Sequence, residues 1–187
     1  MRLQRVDWQQ RRQPYLKQRK IWFLDETGVN LSLARTFGRA FGGQRANGNV
    51  PKNYGAGVTI LGAMRSDGRL ATLEVRGATD ELVMLFFIRE ILTPVLEPGD
   101  VVVMDNLTSH KTRKVREAFA ALGVEVCYLP PYSPDLNPIE MCWSKFKALL
   151  KQTAARTYDT LSEAISNALE KITAADTENW VRHCGYV

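Results

Sequence analysis

The sequence predicts an α/β fold, a mixed five-stranded sheet with helices packed on its faces. Three strand-like segments come first, separated by a long loop and a tight turn. Two more strand-like segments follow, and each is reached through a segment with helical periodicity. Because a strand that follows a crossover helix usually runs parallel to the strand before it, this order favours three antiparallel strands followed by two parallel ones.

The first three strands are predicted to form a meander. Residues 21–24 are apolar and lead to Asp25, which indicates a buried strand that ends in a turn. Residues 35–55 are rich in Gly, Asn and Arg, so we expect a long irregular loop there. Residues 54–64 and 70–75 are strand-like, and the turn residues between them indicate a hairpin.

The fourth strand is expected at the centre of the sheet. Thr79 is predicted to cap a helix over residues 80–96, which Pro94 ends or bends. The short run Val101–Met104 is apolar on both faces, which is typical of a central parallel strand. Apolar residues at helical spacing over 110–122 then predict an amphipathic helix.

The fifth strand is predicted over residues 124–129, and a proline-rich segment follows it. Asn137 suits the N-cap of the next helix, with Pro138 at the first helical position and Glu140 at the third. A last helix is expected to begin near Thr160.

Length and composition indicate one globular domain. The chain has 187 residues, of which 45% are hydrophobic and 24% charged. Residues 1–20 carry seven Lys or Arg against one acid, so we divide the chain into a basic N-terminal arm or linker at 1–20, with room for a helical stretch, and a domain at 21–187. The longest apolar run, 82–88, is far below the ~20 residues of a membrane span, and no signal peptide is visible. A cytoplasmic protein without a membrane partner is expected.

Cysteine usage argues against a disulfide framework and a zinc site. Three cysteines are present, they are widely spaced, and no two form a Cys-x-x-Cys pair. We expect reduced, mostly buried thiols.

Three acids occupy special places in this order of elements. Asp25 follows the first strand, Asp105 follows the fourth, and Glu140 opens the helix after the fifth. If strands one and four are parallel neighbours, their carboxyl ends bring Asp25 and Asp105 together at one sheet edge, where ligands usually bind. The helix after strand five can return Glu140 to the same edge. Converging carboxylates are hard oxygen ligands that suit Mg²⁺ or Mn²⁺, and two such ions would support displacement at phosphorus. Each acid alone also fits a structural role, in a turn or a helix cap.

Basic residues follow each of these acids in stretches that contain no Asp or Glu. Cations around a carboxylate cluster are what a metal-held polyanion requires, although solvated helix faces would look the same. Asn106 and His110 are candidate supporting residues, as a phosphate contact and a proton shuttle, although His110 could equally pack against or cap a helix. The candidate DNA-binding residues are Arg35, Arg39, Arg45, Lys111, Arg113, Lys114, Lys145, Lys147 and Lys151.

Three motifs give the chain a resemblance to a known family. They are Leu-Asp-Glu-Thr-Gly at 24–28, Val-Met-Asp-Asn at 103–106 with His110, and Leu-Pro-Pro-Tyr-Ser-Pro-Asp-Leu-Asn-Pro-Ile-Glu at 129–140. They resemble bacterial insertion-sequence transposases of the mariner-like superfamily, over about residues 20–152. The 34 residues between the second and third acids match the spacing of that group.

The resemblance implies a ribonuclease H-like fold and a DDE transposase that cleaves DNA and transfers strands with two metal ions held by Asp25, Asp105 and Glu140. It implies double-stranded DNA as partner, at the element ends and the target, with insertion at a TA dinucleotide. It also implies a homodimer on DNA and a place beside the bacterial nucleoid. Family transposases carry helix-turn-helix domains before the catalytic domain. Here about twenty residues precede the first strand, which suggests a truncated copy, or the second frame of a split element whose helix-turn-helix segment is separate or missing.

Two alternatives remain open at the level of the sequence. The chain could be another ribonuclease H-like nuclease, which hydrolyses nucleic acid without joining strands. It could also be a DNA-binding remnant without activity, although the presence of all three acids argues against that.

Overall fold

A computed structural model describes residues 2–52, 54–55, 57–107 and 109–187. Within these ranges the sheet has five strands in the order β3-β2-β1-β4-β5, where β1 is Ile21–Val29, β2 Val58–Arg65, β3 Leu70–Arg76, β4 Val101–Met104 and β5 Glu125–Tyr128. β1 pairs antiparallel with β2 and parallel with β4. The predicted mixed sheet of three antiparallel and two parallel strands is therefore confirmed.

Helices cover both faces of the sheet. In chain order, α1 runs over residues 2–16 with a π-helical turn at Trp8–Arg12, α2 joins Glu81–Phe86 to a π-helical turn at Phe87–Leu92, α3 is Arg113–Ala121, α4 Ile139–Thr153, α5 Tyr158–Leu169 and α6 Ala174–His183. One buried cluster joins α2 and α3 to one face of the sheet, and a second joins α1 and α4–α6 to the other face. No helix in the described ranges combines the length and apolar character that a membrane span needs.

β1 is longer than predicted, and Asp25 lies inside it. The parallel pairing with β4 ends at Leu24 and Met104, whereas the antiparallel pairing with β2 continues to Val29 and Val58. Asp25 is therefore the first residue beyond the last β1–β4 pair. The strand was predicted to end here because the apolar run stops. Pairing with β2 instead continues the strand through the polar residues that follow.

Several predicted element ends differ from the structure. β2 begins at Val58 rather than at residue 54, and the preceding segment belongs to the long loop. Helix α2 is capped by Asp80, whose side chain accepts from Val83 N, rather than by Thr79, and it ends at Leu92. The helix predicted over 110–122 begins only at Arg113, because Thr112 takes the capping role.

The caps of the C-terminal helices also differ. Asn137 makes no side-chain cap, the N-cap of α4 is Pro138, and the predicted capping box with Glu140 does not form. Helix α5 begins at Tyr158 with a capping box between Thr157 and Thr160. A further helix, α6, was not expected, since its sequence is polar and short of apolar periodicity.

The N-terminal residues are integral to the fold described. Helix α1 buries Trp8, Gln13 and Leu16 against the rest of the chain. The Trp8 indole N–H donates to the Tyr186 hydroxyl at 3.3 Å, and Gln13 Nε2 donates to the Cys184 carbonyl at 2.7 Å. The chain ends thus pack together, which a basic arm or linker would not require.

Candidate active site

The three predicted acids open onto one cleft at the carboxyl edge of β1 and β4. Asp25, Asp105 and Glu140 all line this cleft, whose volume is about 490 Å³. β1 supplies Asp25, the residue after β4 supplies Asp105, and the first turn of α4 supplies Glu140. The proline-rich segment 130–134 lines the same cleft. Side chains far apart in sequence are thus collected where parallel strands end.

The position of Glu140 depends on how α4 packs. Trp143, one turn after Glu140, is buried against the sheet beside Gly62 of β2. Gly62 is in turn the register partner of Asp25. A side chain at residue 62 would occupy the space that the indole fills, since a Cβ there would lie 2.5 Å from Trp143 Cη2. The glycine therefore lets α4 approach closely enough to bring its first turn to the cleft.

Burial is the main cause that disfavours ionisation of these acids, and repulsion between them adds to it. Burial raises the pKa of Asp25 to about 7, and the charges of Glu140 and Asp105 add to that rise against the hydrogen bond from the Glu26 backbone. Burial also raises the pKa of Glu140, although Lys147 opposes the change. These shifts indicate carboxylates that a nearby cation would stabilise in their ionised form.

His110 links Asp105 to a fourth acid, Glu26. Its Nδ1 lies 2.7 Å from Asp105 Oδ1 and its Nε2 lies 3.2 Å from Glu26 Oε1. The side chain of His110 is 0% exposed. Burial favours the neutral imidazole, but the hydrogen bonds to the two carboxylates outweigh it and raise the pKa of His110 to about 9. An imidazolium inside a cluster of acids follows from this arrangement.

Glu26 is a residue that the sequence motifs contained but to which no role was assigned. Burial opposes its ionisation, yet hydrogen bonds from His110 and Thr79 outweigh that effect and lower the pKa of Glu26. Side chains alternate along a strand, so Glu26 leaves β1 on the face opposite to Asp25. Only the fold shows that His110 reaches it there. The one feature of the sequence that could have indicated a role for Glu26 is its place directly after Asp25, a candidate catalytic acid.

Two amide oxygens in the walls of the cleft have no hydrogen-bond partner within the described residues. They are Asn106 Oδ1 and Asn137 Oδ1, and Asn137 is only 2% exposed. Buried amide oxygens are normally satisfied. Asn106, the candidate supporting residue, lines the cleft next to Asp105, and Asn137, which was expected to serve only as a helix cap, adds a second polar group.

Eight of the nine predicted DNA-binding residues fall into three groups. Lys111 lines the cleft, and Lys147 is close enough to Glu140 for its charge to oppose the rise in the pKa of Glu140. The three arginines of the long loop after β1 are exposed, as are Phe37 and Phe41 among them. The other predicted cations except Lys151 form ion pairs with acids: Arg113 with Glu117, Lys114 with Glu81 and Lys145 with Asp176.

The donor set fits a divalent metal by its chemistry. Three carboxylates face one cleft, and hard cations such as Mg²⁺ and Mn²⁺ prefer oxygen ligands of this kind. Within the described ranges, no three His, Cys, Asp or Glu side chains are already gathered closely enough to enclose an ion.

Comparisons with known proteins agree with the fold. A family model described as DDE superfamily endonuclease matches residues 20–162. The Mos1 strand transfer complex matches with a TM-score of 0.74 and 17% identity, over 96% of this chain and 56% of that chain. The Mos1 mariner paired end complex with Mn matches with a TM-score of 0.72 and 16% identity, over 96% and 57%. No curated protein sequence matches significantly.

A retroviral integrase core shares the same fold. The catalytic core domain of BIV integrase matches with a TM-score of 0.52 and 17% identity, over 80% of both chains. The predicted ribonuclease H-like fold is thereby confirmed. The chain spans a little over half of the length of the Mos1 chains that it matches.

Proposed function

Because the chain belongs to the DDE superfamily of endonucleases, we propose that it is the catalytic domain of a DNA transposase. In this proposal it cleaves DNA at the ends of an element and joins those ends to target DNA. The observation that carries the proposal is the convergence of Asp25, Asp105 and Glu140 on one cleft from three separate elements. The resemblance of the motifs to bacterial insertion-sequence transposases supports the same reaction.

In this proposal the three acids hold two Mg²⁺ or Mn²⁺ ions. Such ions activate a water or a 3′-hydroxyl for attack on phosphorus and stabilise the leaving oxygen. Asp25 and Asp105 come from neighbouring parallel strands, while Glu140 comes from a helix packed on the sheet, so the ligands are held by rigid elements. Lys111 lines the same cleft, and the charge of Lys147 acts on Glu140, so both cations would offset the charge of a bound phosphate.

The proposed partner is double-stranded DNA, which the protein would bind as a homodimer. The exposed arginines Arg35, Arg39 and Arg45 on the loop after β1, together with Lys111 and Lys147, are the DNA contacts that the structure favours. Lys114, Arg113 and Lys145 receive less support because each already pairs with an acid. A helix-turn-helix segment supplied separately would read the element ends. The Mos1 complexes with transposon ends and with Mn or Mg support DNA and divalent metal as partners here.

The first test is nicking of supercoiled plasmid by the purified chain in Mn²⁺, with Asp105→Asn beside it. We expect metal-dependent nicking that the substitution lowers at least a hundredfold. Asp159→Asn is the matched control, since Asp159 is an exposed acid on α5. Nicking that survives Asp105→Asn would contradict the assigned site.

A second test separates a transposase from a nuclease. Duplex oligonucleotides with recessed 3′ ends are incubated with plasmid and Mn²⁺, and the products are sized. Joined products are expected from a transposase. Nicked products alone would favour a ribonuclease H-like nuclease, and DNA binding without nicking in any metal would favour an inactive remnant.

A further inference from the structure

Asp105 is held on one side by two hydrogen bonds. Its Oδ1 accepts from Leu107 N at 3.1 Å and lies 2.7 Å from His110 Nδ1. A carboxylate can only accept, so the imidazole nitrogen must donate. Within the described residues no hydrogen bond is formed to Oδ2, and Asp105 borders the cleft. The two donors therefore fix one oxygen and leave the other available.

The ring of His110 is held at both of its nitrogens, and the backbone of the residue is held as well. Its Nε2 faces Glu26 Oε1, and the hydroxyl of Tyr128 donates to its backbone carbonyl at 3.0 Å. The residue lies in a 3-10 turn, Ser109–Lys111, ahead of the Thr112 cap of α3. Its side chain is entirely buried. A ring held in this way cannot rotate without breaking hydrogen bonds to buried or partly buried groups.

We propose that His110 and Glu26 are positioning residues that orient Asp105 for metal binding. Glu26 fixes the His110 ring through Nε2, and the ring fixes Asp105 through Nδ1, so that Oδ2 is presented to the cleft. The inference rests on the proposed function of Asp105 and deepens it. Groups that orient ligands in this manner change metal affinity by roughly 10–100-fold when they are removed.

Substitutions at His110 separate orientation from packing. The amide nitrogen of Asn can occupy the place of Nδ1, whereas that of Gln corresponds to Nε2, further along the side chain. His110→Asn should therefore keep the donor to Asp105, and His110→Gln should lose it. Both variants remove the ring from the same buried space, so similar losses of stability are expected. The matched control is His183→Ala, because His183 is exposed.

Glu26 is tested by a parallel pair. Glu26→Gln keeps an oxygen that can accept from Nε2, while Glu26→Ala removes it. We expect the Gln variant to stay within about threefold of the unsubstituted chain, and the Ala variant to weaken Mn²⁺ binding by about tenfold, the lower end of the range for orienting groups.

The experiment measures Mn²⁺ affinity by electron paramagnetic resonance, in the absence of DNA, with melting temperatures recorded for every variant. We expect His110→Gln, which loses the donor to Asp105, to raise the Mn²⁺ Kd by up to about a hundredfold. His110→Asn keeps that donor but loses the contact with Glu26, so its Kd should rise by about tenfold, as in Glu26→Ala. The metal concentration for half-maximal plasmid nicking should shift by the same factors. Equal Kd values for the Asn and Gln variants would overturn the proposal.

Failure of the proposed function would look different. If the unsubstituted chain binds no Mn²⁺, or if Asp105→Asn leaves the Kd unchanged, then the metal site itself is misassigned. If Asp105→Asn abolishes binding while His110→Gln and Glu26→Ala leave it unchanged, only the positioning role is wrong.

Discussion

At the scale of single residues, Asp25 is an acid whose burial opposes its ionisation. It is buried next to two other acids, and its pKa is raised to about 7 from an ordinary 3.8. Between these two pH values the folded protein binds more protons than the unfolded chain, so the free energy of unfolding falls as the pH rises. Three pKa units correspond to about 4 kcal/mol at most.

Asp25→Asn should therefore stabilise the metal-free protein at neutral and higher pH while abolishing activity. An amide cannot ionise, so the variant and the unsubstituted chain should be similar near pH 4 and should diverge as the pH rises to 7, by up to about 4 kcal/mol. The measurement is urea unfolding without divalent metal at pH 4, 5.5 and 8. Parallel pH profiles for the two proteins would contradict the prediction.

His110 adds a second pH-dependent contribution in a different window. Its pKa in the folded protein, about 9, exceeds the ordinary 6.5. Its stabilising effect is therefore complete below pH 6.5 and is lost as the pH rises through 9. The measurements at pH 4 and 5.5 therefore lie below the window in which His110 adds a pH dependence, whereas the measurement at pH 8 lies inside it.

The convergence of the three acids on one cleft was predictable from the sequence, while the contacts of Glu26 with His110 were not. Asp25, Asp105 and Glu140 stand next to recognisable strand ends or in a proline-rich motif, so local pattern was enough. Glu26 acquires its role only through His110, which lies 84 positions away. Contacts at that separation depend on the tertiary fold, which no local pattern contains.

At the scale of elements, the end of α4 shows a local strain. Ala154 closes the helix with φ 51 and ψ 46, a left-handed conformation that glycine adopts more readily. Ala154→Gly should stabilise the protein by about 0.5–1 kcal/mol, since the steric cost exceeds the added entropy of the unfolded chain. Thermal unfolding should show a melting temperature about 2 °C higher.

The matched control for this change lies in the same helix. Ala148 is exposed in the middle of α4, where glycine is a poor helix former. Ala148→Gly should cost about 1 kcal/mol, the opposite sign. If Ala154→Gly and Ala148→Gly both destabilise the protein, residue 154 is not left-handed in solution.

The contact between β2 and α4 gives a second prediction at this scale. Gly62→Ala would place a Cβ 2.5 Å from Trp143 Cη2. We expect a loss of about 1–3 kcal/mol in the free energy of unfolding and a larger loss of nicking, because α4 must move and it carries Glu140. Gly28→Ala, also in the sheet but with nothing within 4 Å of the added Cβ, should leave both unchanged. Equal activity in the two variants would contradict the role assigned to residue 62.

The order of the strands along the chain was predictable because their apolar residues are bounded by turn residues. The first and last residues of the strands and helices were less predictable, because strand pairing and helix caps determine them. β1 continues through Glu26 to Val29 because β2 pairs with it, which its own polar composition does not indicate. Helix α6 is polar over most of its length, and its capping box between Thr173 and Asp176 is its only local signal.

At the scale of the whole molecule, a chain of contacts joins α1, the C-terminus and the proline-rich wall of the cleft. Trp8 donates to Tyr186, and the Tyr186 hydroxyl donates to the carbonyl of Leu136 at 2.8 Å. Arg5 donates to Ser133 and forms an ion pair with Asp135 at 2.6 Å. The segment that leads to Glu140 is thus braced by the N-terminal helix. Residues 1–20 were predicted to be an arm from their basic composition, which does not show that some of their side chains are buried.

Trp8→Ala tests whether α1 is part of the folded domain. Trp8 is 5% exposed, so its removal should cost about 3–5 kcal/mol and loosen the wall of the cleft. Leu3→Ala is the control, since Leu3 is 85% exposed on the same helix. Urea unfolding measures the first effect, and proteolysis at the segment between β5 and α4 measures the second. A freely moving arm would make the two variants indistinguishable in both measurements, whereas an integral helix makes only Trp8→Ala unstable, sensitive to protease and slow to nick DNA.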